Sequence, residues 1–169
     1  MSTPQYGLIT IGNALLDLLA KTDDAYLAQQ KATAGMEKGS MNLIDAERAL
    51  SLYQDMNTPT KMSGGSAGNT MACFASFGGK GAYIGKVADD ALGVSFASDL
   101  HQMGVDFKTA PLTGGTSTGR CMILVTPDGE RTMNTFLGAA VELSPKDIDA
   151  DFIASAKVTY LEGYLFDPP

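Results

Sequence analysis

The sequence predicts an α/β fold with a mostly parallel sheet and a small added β-sheet. Three observations predict it. Short apolar, β-prone runs alternate with stretches that carry an apolar stripe at helical spacing. A turn of small residues, Ser63-Gly64-Gly65-Ser66-Ala67-Gly68-Asn69, stands directly before one such helix. Two β-prone arms flank Pro127-Asp128-Gly129-Glu130, in which Asp-Gly is a strong hairpin signal.

Each element follows in order. Residues 8–11 form a short apolar strand ending at Gly12-Asn13, and residues 14–19 are an otherwise apolar stretch that carries Asp17. Asp23-Asp24 caps a short helix over 25–30, and residues 42–55 read as a longer one, with Asp45 and Glu47 near its start and Leu43, Ile44, Leu50 and Tyr53 on its apolar face. The helix over 70–77 carries Met71, Cys73, Phe74 and Phe77 among small residues, a pattern expected to be buried on most of its surface. Gly78-Gly79 ends it and a strand follows over 82–87, which makes a βαβ unit. A helix over 92–103 stops at Gly104, and residues 105–107 begin another strand. The arms 116–126 and 131–136 form the hairpin, an antiparallel insertion suited to covering a ligand. Ser144-Pro145 opens a helix running to about 156, and residues 158–161 are a strand with Glu162-Gly163 at its end.

Composition bounds the function. A chain of 169 residues with 44% hydrophobic content is an ordinary globular sequence, read by default as one domain, and buries about 70% of the surface its unfolded form exposes. The net charge of −7 and the lack of a Lys/Arg cluster argue against nucleic acid as a partner. No apolar run approaches a membrane span and the N-terminus lacks the regions of a signal peptide, so a cytoplasmic location is expected. Cys73 and Cys121 stand at neither metal-ligand nor redox-motif spacing and read as buried free thiols. His101, the only histidine, sits late in an amphipathic helix and reads as a surface residue rather than a base.

Phosphate-binding signatures fail. No Walker-type sequence is present, and Gly79-Lys80-Gly81 precedes a strand where a dinucleotide fingerprint follows one. What remains is a set of polar residues at strand ends and one helix start: Asn13, Asp17, Gly64, Gly65, Asn69 and Glu162. Ligands of parallel sheets bind beyond the carboxyl ends of the strands, and carboxylates and an amide suit hydroxyl groups. Each position has a plainer reading as well. The glycines allow a tight turn with close packing, and Asp17 can sit on the open side of a half-buried strand.

Taken in order, Gly12-Asn13-Ala14-Leu15-Leu16-Asp17, Gly64-Gly65-Ser66-Ala67-Gly68-Asn69, Gly85-Lys86-Val87-Ala88-Asp89-Asp90-Ala91-Leu92-Gly93 and Leu161-Glu162-Gly163-Tyr164 span nearly the whole chain. In these segments the sequence resembles the N-terminal half of a ribokinase-like (PfkB) carbohydrate kinase, of the adenosine kinase and sugar kinase branch. It departs from that pattern at Met71, where a small residue is usual, and at Ala88, where glycine is usual. The resemblance implies a three-layer α/β/α fold with a β-sheet lid, the lid segments lying near 14–40 and 112–137 and the whole of 1–169 being the N-terminal part of one kinase domain. It implies that Asp17 accepts sugar hydroxyls, that Gly64 and Gly65 let the backbone close on the sugar, that Asn69 binds a further hydroxyl, and that Asn13 and Glu162 sit around the same pocket. Met122 and Phe136 then either contact an apolar part of the ligand or form a small lid core.

The implied reaction is transfer of the ATP γ-phosphoryl group to a primary hydroxyl of a sugar or nucleoside, with Mg²⁺ neutralising charge and a carboxylate taking the hydroxyl proton. In the family the base and the anion-holding helix lie in a C-terminal Asp-x-Gly-Ala-Gly-Asp-like motif, preceded by Asn-x-x-Glu. Neither occurs here. The expectation is therefore a chain truncated after the N-terminal half, inactive alone, whose parent uses ATP and Mg²⁺. The competing reading is a non-catalytic sugar- or nucleoside-binding module. Lid-mediated dimers are known in the family, and a homodimer is compatible with the sequence.

Overall fold

A computed structural model of the chain describes residues 4–166. The chain divides into two compact units. One comprises Met1–Leu16, Met62–Gly119 and Gly138–Pro169, the other Asp17–Lys61 and Arg120–Leu137. The segments expected near 14–40 and 112–137 overlap the second unit in sequence.

The first unit is built on a parallel sheet. Strands β1 (Tyr6–Ile11), β5 (Gly81–Ile84), β6 (Asp106–Phe107) and β9 (Ala156–Leu161) lie in the order β6-β5-β1-β9. Leu8 pairs with Gly81 on one side and with Val158 on the other. Helices α3 (Ser66–Ser76) and α4 (Ala91–Gln102) contribute Ala67, Met71, Phe96 and Leu100 to one core, in which Tyr83, Phe96 and Phe107 pack edge-on or tilted at 5.5–5.9 Å. Tyr6, Ile9, Ile11, Ala82 and Ile84 form a second core with Phe152 of the short helix α5 (Ala150–Ala154). Both departures from the family pattern are buried. Met71 is fully buried, its sulfur where a Cβ on Gly81 would sit. Ala88 donates its N–H to Thr118 Oγ1 at 2.9 Å.

The second unit carries most of a five-stranded mixed sheet in the order β3-β8-β7-β2-β4, with β2 (Leu15–Lys21), β3 (Met41–Leu43), β4 (Thr60–Gly64), β7 (Gly119–Val125) and β8 (Arg131–Phe136). Strands β7 and β8 are the expected antiparallel hairpin, closed by Gly129 at φ 85°. Helices α1 (Asp24–Ala34) and α2 (Ala46–Asp55) are capped by Asp23 and Asp45, whose carboxylates accept from the N–H groups of Tyr26 and Arg48 at 2.7 and 2.8 Å. Leu18 and Ala20 of β2 and Met122 and Leu124 of β7 meet Leu27 and Leu52 of these helices in one core.

Several expected elements differ. The helix expected over 42–55 starts only at Ala46. The preceding residues pair in parallel with β8, Asn42 opposite Asn134, and the Ile44 N–H bonds to the Thr135 carbonyl at 2.9 Å. The strand β4 had no sequence signal, its residues being mostly polar and exposed. On α3 only Ala67, Gly68 and Met71 are buried, whereas Cys73 is exposed and Phe77 is 86% exposed, because the helix turns a single face to the sheet. The helix expected from Ser144 breaks into a 3-10 turn over Pro145–Asp147 and the separate α5, for which Asp149 supplies a new cap. The strand β9 lies at the sheet edge with Val158, Tyr160 and Leu161 exposed, since it has a strand neighbour on one side only.

Candidate functional site

In the first unit the site is assembled where β1 ends and α3 begins. The Gly12 N–H continues the sheet by bonding to the Ile84 carbonyl at 3.1 Å, and the Glu162 N–H bonds to the Ile11 carbonyl at 2.9 Å. This brings the ends of β1, β5 and β9 to one level. Glu162, only 2% exposed, accepts the Asn13 N–H at Oε2 and the Ser66 hydroxyl at Oε1, both at 2.5 Å. A carboxylate buried so deeply requires such donors, and here it ties the first strand to the first residue of α3. The Tyr83 hydroxyl donates to the Gly12 carbonyl at 2.9 Å. Burial, and then the charge of Glu162, push the Tyr83 phenol well above its ordinary range, so it stays a donor.

Gly65 is the hinge of this arrangement. Its φ of 80° is left-handed, and a Cβ there would stand 2.6 Å from the Asn13 carbonyl oxygen. Only glycine meets both conditions. The Asn69 N–H closes the first turn of α3 on the Gly65 carbonyl at 2.8 Å, and its side chain lies one turn into the helix on an exposed position. Ser63 is held by its N–H on Asp99 Oδ2 at 2.8 Å. Asn13, Gly64, Gly65 and Glu162 are thus brought together, with Asn69 one helical turn away. Ser66 and Tyr83 complete the network. Ser66 stands inside the glycine turn that the sequence marks, but nothing local shows that it faces a glutamate 96 residues later.

Beside Asn13, an open groove of about 590 Å³ is lined by Ile11, Ala140, Leu143, Pro145 and Leu161. It is predominantly apolar and begins where the polar turn ends.

In the second unit Asp17 lies on β2, half-buried, on the sheet side opposite Leu18 and Ala20. Burial pushes its carboxyl up to about 6. Cys121 on the neighbouring β7 is pushed up to about 11, chiefly by burial and also by the Asp17 charge, against the opposing hydrogen bond from the Thr135 hydroxyl. It is therefore an inert thiol. Met122 is fully buried in the core facing α1 and α2, and Phe136 packs against the same core, which is the packing alternative for this pair. A crevice of about 360 Å³ in this unit, near Lys21, Tyr26 and Asp55, contains none of the candidate ligand-binding residues named from the sequence.

This architecture defines a class, the ribokinase-like α/β kinases. Over 98% of its length the chain is similar to the solved adenosine kinase from Sinorhizobium meliloti, with 55% identity and a TM-score of 0.88, covering 49% of that chain. It is likewise similar to a probable sugar kinase protein from Rhizobium etli CFN 42, with 50% identity and a TM-score of 0.89 over 98% of this chain and 49% of that one. Residues 39–169 match the pfkB family carbohydrate kinase family, and the chain belongs to that family. Fructokinase-2 of Solanum lycopersicum is 31% identical over 100 residues, 58% of this chain and 30% of the fructokinase. The chain spans about half the length of the two solved relatives.

The family generally uses ATP and Mg²⁺. Among the described residues no group of three or more His, Cys, Asp or Glu is placed to hold a metal ion. Nor is any helix among them long and apolar enough to cross a membrane.

Proposed function

We propose that this chain is the substrate-binding part of an ATP-dependent sugar or nucleoside kinase, with a nucleoside as the preferred ligand. The observation that carries the reading is the bracing of the Gly65 turn by Glu162. Two short hydrogen bonds fix Asn13 and Ser66 around a backbone position that admits only glycine. Such rigidity is what hydroxyl recognition needs, since a ligand then meets donors and acceptors already in place. Asn69 is proposed to bind a ribose hydroxyl from the helix start, and Asn13, Gly64 and Gly65 to approach the sugar through backbone and amide groups. In the second unit, Asp17 is proposed as an acceptor of sugar hydroxyls, and the hairpin of β7 and β8 as part of a lid.

The preference for a nucleoside rests on the groove beside Asn13. A free sugar has hydroxyls on all sides and gains little from an apolar wall, whereas a base is a flat, largely apolar surface. The similarity to an adenosine kinase at 55% identity supports the same choice. The phosphoryl-transfer step is assigned to sequence outside the 169 residues, because the Asp-x-Gly-Ala-Gly-Asp motif of the family does not occur in them.

Calorimetric titration of the chain with adenosine, ribose and fructose tests the reading. Adenosine is expected to bind more tightly than either sugar, with Asn69→Ala weakening it by about tenfold, as the loss of one hydrogen-bonding partner implies. No phosphorylated product is expected when ATP and Mg²⁺ are added. Absence of binding by all three compounds refutes the assignment, and turnover would show that a base exists within the chain.

A further inference from the structure

The segment Gly85-Lys86-Val87-Ala88-Asp89-Asp90 follows β5, and the hydroxyl-binding turn leaves its lysine without a role. Lys86 is 8% exposed, unusual for a residue whose ammonium is strongly hydrated. Its Nζ donates to Asp147 Oδ1, and the two side chains are only 10% and 11% exposed. The other oxygen of Asp147 accepts both the N–H and the hydroxyl of Ser144 at 3.0 Å. The Asp147 N–H returns to the Ser144 carbonyl at 2.9 Å, and the Ile148 N–H bonds to the Pro145 carbonyl at 3.3 Å. One carboxylate therefore holds both ends of the 3-10 turn, and one lysine holds the carboxylate. Burial acts to raise the Asp147 carboxyl, but the Lys86 ammonium and the two Ser144 donors outweigh it and leave it below the ordinary carboxylate range.

This turn is a wall of the apolar groove. Leu143, Ser144, Pro145 and Ile148 line it together with Asn13. The wall is fixed neither by a regular helix nor by a strand, and the turn is too short to hold its own position. We propose that Lys86, acting through Asp147, is the positioning residue that sets this wall and thereby the selectivity of the site for a nucleoside over a free sugar. The selectivity rests on the functional reading above, whereas the fixing of the wall does not.

Amide hydrogen exchange and calorimetry on Lys86→Met, Lys86→Arg and the double variant Lys86→Met/Asp147→Leu test it. The double variant replaces a buried ion pair by apolar groups of similar volume and keeps the fold testable where the single change does not. Exchange across 144–148 is expected to rise in both Met-containing variants. Adenosine affinity is expected to fall by about tenfold, the scale of a pocket wall displaced by a methylene or more, while ribose affinity stays within about twofold. Lys86→Arg keeps a cation on Asp147 and is expected to retain most of the adenosine affinity. Unchanged exchange in both Met-containing variants overturns the assignment, and equal losses for adenosine and ribose overturn the selectivity role. If the unaltered chain binds neither compound, the functional reading fails, and the exchange result still decides whether Lys86 fixes the wall.

Discussion

Asp17 and Gly65 make opposite demands at the scale of single residues. Burial holds the Asp17 carboxyl at about 6, above its unfolded value of about 4, so the folded chain binds the extra proton between those pH values. Stability from this group is therefore full below about pH 4 and declines as pH rises through about 6. Asp17→Asn removes the cost of the buried charge. Urea denaturation is expected to find the variant up to about 2 kcal/mol more stable than the parent at pH 7.5 and equal to it near pH 4. A ligand whose hydroxyls donate to the ionised carboxylate favours deprotonation, so the proposed sugar contact requires affinity to rise between pH 5 and 7, and to lose that rise in Asp17→Asn. Gly65 fails differently. A Cβ at 2.6 Å from the Asn13 carbonyl meets backbone, which has no rotamer to escape into, and the positive φ adds strain of about 1 kcal/mol. Gly65→Ala is expected to cost about 2–4 kcal/mol in a denaturation experiment and to abolish binding, whereas Gly68→Ala, with open space around its added Cβ, should be close to neutral.

At the scale of elements, α4 shows how one side chain organises several. Asp90 caps it by accepting the Gly93 N–H at 2.8 Å, and it also accepts the N–H and hydroxyl of buried Thr118 at 2.9 and 2.7 Å. Thr118 in turn receives the Ala88 N–H. Burial opposes the charge, but the donors from Thr118, Gly93 and Leu92 prevail and lower the Asp90 carboxyl below its ordinary value. The sign follows: this stability is present above the unfolded value of about 4 and is lost as pH falls through the folded one. Asp90→Ala is expected to cost about 2–3 kcal/mol at pH 7, combining a lost cap with a stranded Thr118 N–H. The difference from the parent in urea midpoints should shrink towards pH 3. The sequence marks Asp90 through its place before an apolar helical stripe and within the segment from Gly85 to Gly93, but not as the partner of Thr118. Thr118 falls within the expected arm 116–126, and nothing in the sequence points it at a residue 28 positions earlier. The same limit explains the elements that sequence patterning misplaced. Met41–Leu43 contains two apolar residues in three, too short a run for periodicity to separate strand from helix, and what decides it is pairing with β8 some 90 residues later. The glycine turn, by contrast, was legible because its conformation is local, while its brace by Glu162 emerged only once β9 aligned with β1.

On the scale of the whole chain, the parallel sheet among the described residues has β9 as an edge strand with exposed apolar side chains. Pairing of β9 with β1 places Val158 beside Leu8 and Tyr160 beside Thr10, so these side chains continue a face that is core at β1 and solvent at β9. Val158 is 57% exposed and Leu161, on the opposite face, 50%. Strand edges with apolar side chains on both faces template association, and natural proteins blunt them with charge, bulges or a covering element. Charge is scarce on this edge: Lys157 is the only charged residue of β9. The chain is therefore expected to associate reversibly as its concentration rises. Val158→Lys/Leu161→Lys should suppress that association in sedimentation velocity while leaving the midpoint of urea denaturation within about 0.5 kcal/mol of the parent, since exposed positions contribute little burial. Association unaffected by the two lysines would place its cause elsewhere, with the exposed Met41 and Leu43 of edge strand β3 the next positions to charge.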